Sequence, residues 1–240
     1  MASELTIEWQ EHEITSIAAT KIHDAEITTD PSYTPVRDLR TRRNARSITG
    51  QLNSIHADIS HVYESLGEMR HAIICDADWN VLRLETQPQR ISLADGRTYT
   101  PDAKVWLRGS ARPIFRELKP IRWLRDDPDL KGKLHLISES CAMLGCDFEI
   151  LSDVWYNRQP RLMNSNWIRR AAKHAPDAHL RHVAELLSSR GALPADEIAR
   201  QSGLGGDGVF AAYALVGLRF CLVDLDRRFD SDTVISAVKP

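Results

Sequence analysis

Thr100-Pro101-Asp102, followed fifteen residues after the aspartate by Glu117-Leu118-Lys119, is the pattern in this sequence best suited to chemistry. If the two segments are neighbouring strands of a hairpin, side-chain alternation puts Glu117 and Lys119 on one face and Leu118 on the other. A short antiparallel return then brings Asp102 beside them. Two carboxylates and an ammonium on one sheet face suit phosphodiester hydrolysis. The carboxylates would hold Mg²⁺, or Mn²⁺ as a substitute, through hard oxygen ligands. Such a metal polarises the phosphate and generates a nucleophilic hydroxide, while the lysine orients that water or stabilises transition-state charge. The plainer alternative is a surface hairpin with a cross-strand ion pair. Pro101, which fixes the backbone before Asp102, and the apolar Phe115 and Leu118 favour a half-buried strand over a solvated one.

Glu68 is a further candidate for the same site. Ser65-Leu66-Gly67-Glu68 has the spacing of a capping box, which accounts for the glutamate without any catalytic role. An acid in the first turn of a helix packed on the sheet could also reach the metal, and the two roles compete for the same oxygens. Glu64 is the rival for that position. Gln87-Pro88 ends a strand: either its amide stands near a metal-bound water, or proline simply terminates an edge strand.

The elements that must position these residues follow from the apolar periodicity. Residues 1–56 are polar and weakly periodic and read as an extended arm. Residues 57–155 read as one mixed α/β unit, with a strand over 59–63 and a helix after Ser65 bearing Leu66, Met69 and Ile73 on one face. Strands are expected at 81–84, 90–93, 103–107 and 114–118, with turns at Asp95-Gly96 and Gly109-Ser110. A helix over about 129–144 and the run Phe148-Glu149-Ile150-Leu151 suggest a crossover that adds a parallel strand. Residues 156–240 read as a second unit with helices over 166–174 and 178–189. It continues with a short helix opened by Leu193-Pro194, a glycine-rich turn from Gly203 to Gly208, a helix over 209–218 and a strand over 220–223. That order suggests a winged helix. The glycine-rich turn is a poor phosphate loop, since no GKS/T follows and no strand precedes it.

The net charge of −2 hides an uneven distribution. Residues 1–30 hold seven acids against Lys21, whereas Arg37, Arg40, Arg42, Arg43 and Arg46 crowd 36–46 against Asp38 alone. Residues 104–133 carry nine Lys or Arg against four acids, and 158–181 carry six against Asp177. Such patches can neutralise phosphates, which makes Arg40, Arg42, Arg43, Arg169 and Arg170 candidate nucleic-acid contacts. Trp155, Tyr156 and Trp167 lie among the last set and read as packing residues rather than base-stacking platforms. The four cysteines lack zinc-ligand spacing and make no disulfide framework, and the nine histidines are scattered. With no signal-peptide pattern and no apolar run long enough for a bilayer, a cytoplasmic location without membrane contact is expected.

Taken in order, Tyr63-Glu64-Ser65-Leu66-Gly67-Glu68, Val81, Gln87-Pro88, Tyr99-Thr100-Pro101-Asp102 and Phe115-Arg116-Glu117-Leu118-Lys119-Pro120 resemble the TnsA endonuclease family. Gly145 to Leu151, Pro160-Arg161-Leu162 and Asn164 extend the resemblance, which covers roughly residues 36–235. The resemblance implies a restriction-endonuclease-like PD-(D/E)XK fold with a mixed sheet flanked by helices. It implies that Glu68, Asp102, Glu117 and Lys119 are catalytic, the three acids as metal ligands. It further implies cleavage of the 5′ ends of a transposon, with a DDE transposase and an AAA+ ATPase regulator as partners and double-stranded transposon-end DNA as substrate. Gly67 departs from the pattern, since a large apolar residue is usual there. Two other functions compete: a stand-alone restriction or repair nuclease, and a non-catalytic winged-helix DNA-binding adaptor with a relic nuclease fold.

Overall fold

The computed structural model describes residues 48–238 apart from 57, 58 and 127. Arg40, Arg42 and Arg43 lie outside the described residues. The segment expected to be an arm ends in a strand, β1 (Gly50–Asn53), which pairs antiparallel with β2 (Ser60–Tyr63). The expected boundary at residue 56 therefore falls inside a hairpin, and Leu52 packs against the core.

A central sheet of four strands has the order β3 (Val81–Thr86), β6 (Ala103–Leu107), β7 (Ile114–Lys119) and β8 (Asp147–Ser152). The first two pairings are antiparallel and β7 runs parallel to β8, as expected of a crossover. Strand β7 is buried along nearly its whole length because both of its faces are covered. Ile114 joins Ala72 and Cys75 of helix α1 (Leu66–Ala77) on one side. Phe115 joins Ile137 and Cys141 of the crossover on the other. That crossover comprises α2 (Ile121–Asp126) and α3 (Pro128–Met143). Gly145, at φ +70°, supplies the left-handed turn that ends α3 and feeds β8.

The strand expected at 90–93 does not join the sheet. It forms a two-stranded ribbon, β4 (Ile91–Ser92) with β5 (Thr98–Tyr99), around the Asp95-Gly96 turn. Ile91, Leu93 and Tyr99 lay this ribbon on Phe115 and Ile137. A backbone of only a few residues makes few ladder bonds, so packing rather than pairing fixes its place.

After the short helix α4 (Asp153–Tyr156), the C-terminal unit comprises α5 (Arg161–His174), α6 (Asp177–Arg190), β9 (Ala192–Pro194), α7 (Ala195–Ser202), α8 (Gly206–Gly217), β10 (Cys221–Leu222) and β11 (Val234–Ala237). Its three strands pair antiparallel in the order β10-β11-β9. Helix α5 starts five residues earlier than the apolar periodicity indicates, because Arg161 and Asn164 are held by the loop after β10. Arg161 pairs with Asp226 at 2.7 Å, and the Asn164 amide donates to the Leu225 and Arg227 carbonyls at 2.8 and 2.7 Å. At Gly217 a Cβ would lie 2.9 Å from Ala172 Cβ and 3.0 Å from Ile168 Cγ2, so only glycine lets α8 approach α5 this closely.

Three arginines join the two units. Arg169 of α5 forms a buried ion pair with Asp76 of α1, which also accepts from Ser54 Oγ at 2.7 Å and Ile55 N–H at 3.1 Å. Arg161 reaches Asp78 at 3.2 Å. Arg219, in a left-handed conformation at φ +67°, donates to the Val81 and Leu82 carbonyls. Those carbonyls lie where β3 slips register against β6, and the arginine satisfies groups that such a bulge leaves without ladder partners. Among the described residues no helix is long and apolar enough to cross a membrane.

Arg169→Ala should lower the unfolding free energy by about 3–5 kcal/mol, because it leaves Asp76 buried without its cation. Arg170→Ala, on the exposed side of the same helix, should change it by less than about 0.5 kcal/mol. Urea unfolding of the two variants provides the comparison.

Candidate active site

Asp102 precedes β6 and Glu117 and Lys119 end β7. Ala103 pairs with Arg116, so continuing the antiparallel register sets Asp102 opposite Glu117. The Asp102 carboxylate accepts the Leu118 backbone N–H at 2.7 Å, which stitches the two strands together at their open ends. Lys119 Nζ lies 2.6 Å from Glu117 Oε1, and the Tyr99 hydroxyl donates to Glu117 Oε2. The sequence-predicted trio is thus assembled where the two inner strands of the sheet end. Tyr99 is a contributor that the strand pattern alone does not single out; its ribbon swings the ring onto the sheet face carrying Phe115 and Glu117.

Glu68 occupies both of its proposed neighbourhoods at once. Ser65 Oγ accepts from Glu68 N–H at 3.1 Å, and the Glu68 carboxylate takes Ser65 Oγ at 2.9 Å and the Glu64 N–H at 2.8 Å. The Ser65 half of the expected capping box is therefore formed, while the Glu68 carboxylate returns to the Glu64 N–H and the Ser65 hydroxyl rather than to the Ser65 N–H. The same carboxylate is near enough to Asp102 to raise its pKa. Glu64 lends its backbone to this cap.

The electrostatics of the site are those of like charges held together. Burial, then the charges of Glu117 and Glu68, lift the Asp102 carboxyl well above the usual carboxylate range, against the pull of the Leu118 N–H and Lys119. Burial opposes the Lys119 charge, but Glu117, Asp102 and Glu68 outweigh it and raise the ammonium's pKa. Burial and the Glu117 carboxylate push the Tyr99 phenol upward, so it stays a neutral donor.

Among the described residues no three His, Cys, Asp or Glu side chains converge closely enough to hold a metal ion as they stand. The oxygens are otherwise engaged: Glu117 with Tyr99 and Lys119, Glu68 with its cap, Asp102 with Leu118. Hard carboxylate donors under mutual repulsion nonetheless have the chemistry that a divalent cation relieves. Asp102 and Glu117 are the pair that could hold such an ion, but Glu117 would have to release Tyr99 or Lys119 to do so, as Glu68 would its cap.

Two further residues border the site. Gln87, just beyond β3, is 1% exposed, and its backbone N–H donates to the Asp102 carbonyl at 2.9 Å. It adopts φ +52°, and both polar atoms of its amide are buried without a protein partner. Each such group costs about 1–3 kcal/mol when left unmatched. Tyr156 is buried against the start of α1, where a Cβ on Gly67 would lie 3.0 Å from its Cζ. The ring thus fills the space that a large residue at 67 would need, and burial and the Asp153 charge raise its pKa, with Asp102 adding less. The unexpected glycine was the available sequence signal for this tyrosine.

The candidate nucleic-acid contacts divide. Arg169 is not a DNA contact in this arrangement, because its guanidinium is buried against Asp76 and the Asn53 carbonyl. Arg170 is exposed and lies over the Trp167 ring at 5.6 Å. Arg116 is likewise buried, paired with Glu149 at 2.9 Å and set over Trp155. Trp155 and Tyr156 pack as expected, whereas Trp167 is 47% exposed. Helix α8 contains no Lys or Arg, and the loop leading to β11 holds Asp224, Asp226, Asp230 and Asp232 against Arg227 and Arg228. That surface is a poor match for a phosphate backbone.

No protein-family model matches this chain, and no curated protein matches it.

A carboxyl with a raised folded-state pKa binds its proton more tightly when folded, so it costs stability as pH rises through that interval. Metal-free Asp102→Asn should therefore melt like the wild type below about pH 4 and several degrees higher at neutral pH. Thermal melts across that range check the sign. Gly67→Ala should cost about 1–3 kcal/mol through the clash with Tyr156. In a double-mutant cycle with Tyr156→Ala, measured by chemical unfolding, that cost should largely vanish.

Proposed function

We propose that this chain is a Mg²⁺-dependent DNA endonuclease of the TnsA type, which cuts the 5′ ends of a transposon as one subunit of a heteromeric transposase. The observation that carries the reading is the convergence of Asp102, Glu117 and Lys119 at the open end of β6 and β7, two carboxylates at facing positions with the lysine paired to one of them. The mixed sheet with helices on both faces is compatible with a restriction-endonuclease-like core. When bound, the metal would supply Lewis acidity to the scissile phosphate and a hydroxide nucleophile.

The protein's own groups would divide the remaining work. Asp102 and Glu117 would hold the cation, with Glu68 joining once its cap opens. Lys119, which stands beside Glu117 at the end of β7, would face the charge that grows on the phosphate oxygens. Tyr99 would keep Glu117 oriented. The helix, strand and helix order of the C-terminal unit fits a winged helix, but its base-free α8 and acidic loop favour a protein partner over DNA. A DDE transposase and an AAA+ regulator are the partners this reading assigns. Duplex DNA would then be gripped by basic side chains elsewhere in the chain, for which Arg40, Arg42, Arg43 and Arg170 are the sequence candidates.

End cleavage by the purified chain with its transposase and ATPase partners, with and without Mg²⁺, tests the proposal. Asp102→Ala, Glu117→Ala and Lys119→Ala should each reduce 5′-end cutting by about 10²–10³-fold while leaving assembly intact. Full activity of Asp102→Ala would overturn the assignment. Cutting without partners would instead favour a stand-alone nuclease. Calorimetry showing no divalent-ion binding would favour the non-catalytic adaptor, a reading that the engaged carboxylates keep in contention.

A further inference from the structure

We propose that the Gln87 side-chain amide is a positioning group of the Asp102–Glu117 site, holding the water that attacks the phosphodiester. This rests on the nuclease reading and adds to it a residue outside the acid, acid and lysine set.

Gln87 is the one side-chain amide among the described residues with both polar atoms buried and unpartnered by protein. A core position with no polar duty would be served by an apolar side chain of the same length. The residue also sits in left-handed backbone at φ +52°, a conformation that side chains with a Cβ seldom adopt and that clusters at functional sites. That conformation is tied to the site itself, because the Gln87 N–H bonds the carbonyl of Asp102 at 2.9 Å. On the sheet, Thr86 pairs with Ala103, so Gln87 leaves β3 level with the start of β6.

Burial, a strained backbone and a direct link to Asp102 thus meet in one residue. An amide offers an acceptor and donors together, which matches a water molecule that must be held by one group and oriented by another. It does so without charge. A fourth carboxylate beside Asp102, Glu117 and Glu68 would add to the burial and repulsion that already disfavour the Asp102 charge. In the reaction the water oxygen bonds to phosphorus and the ester P–O bond breaks. The water's surplus proton passes to solvent, and the departing sugar oxygen takes its proton from solvent. Gln87 neither gains nor loses one; it fixes the direction of approach.

The test compares Gln87→Met with wild type and Asp102→Ala, all as full chains assembled with partners and Mg²⁺ on transposon-end DNA. Gln87→Met should lower kcat by about 10–100-fold with KM for DNA unchanged, as expected when only alignment is lost. Its metal-free thermal midpoint should equal or exceed that of the wild type, because two unmatched polar atoms are removed. Gln87→Asn withdraws the amide by one methylene and suits left-handed backbone. It should show the same kcat loss, and it decides the matter if the methionine variant does not fold. Cleavage within twofold of wild type, with Asp102→Ala inactive, would overturn the role of Gln87 alone. Parallel loss of cleavage and thermal midpoint in both variants would also overturn it, in favour of a structural role. An active Asp102→Ala would instead remove the nuclease reading on which the proposal stands.

Discussion

Strand β7 carries Arg116, Glu117 and Lys119 through the middle of the protein, and a strand covered on both faces can keep such charges only if other elements answer them. Arg116 meets Glu149 of β8 at 2.9 Å and the His71 ring of α1 at 3.3 Å. Glu117 is answered from the opposite face by Tyr99 of the β4–β5 ribbon and along its own strand by Lys119. The placement of α1, of β8 and of the small ribbon is therefore bound to the polar requirements of one strand. An apolar β7 would make the same sheet without needing any of these partners.

The end of that strand concentrates the remaining tension. Asp102 is held beside Glu117 and Glu68 by a backbone hydrogen bond, although its surroundings disfavour its charge. Natural folds seldom crowd carboxylates without a compensating role, and groups with strongly shifted pKa values gather at functional sites. Glu68 shows the balance most directly. Its oxygens stabilise the first turn of α1, yet the carboxylate stands within electrostatic reach of the site, so the metal proposed there would compete with the helix cap for the same atoms.

The C-terminal unit is coupled to this core by charge as much as by apolar contact. Arg169 with Asp76, Arg161 with Asp78 and Arg219 on the β3 bulge all connect it to α1 and the sheet edge. Arg161 and Arg169 belong to a run that, counted as charge alone, resembles a nucleic-acid surface. Burial changes their meaning: a guanidinium committed to a buried carboxylate is a structural cation and is lost to solution phosphates.

The sequence by itself determined the strands that carry the site and the spacing of Asp102, Glu117 and Lys119, because period-two alternation and a short turn leave few other pairings. It also determined the helix cap that Ser65 and Glu68 share, a local motif closed within a few neighbouring residues. Only the tertiary structure decided that β4 and β5 stand apart from the main sheet, that Tyr99 and Gln87 adjoin the acids, and that Tyr156 occupies the space left by Gly67. It likewise decided that Arg169 is internal while Arg170 is exposed. The physical reason is range. Alternation, caps and turns are written in neighbouring residues, whereas burial and ion pairing depend on groups such as Asp76 and Arg169 that meet only after the chain has folded.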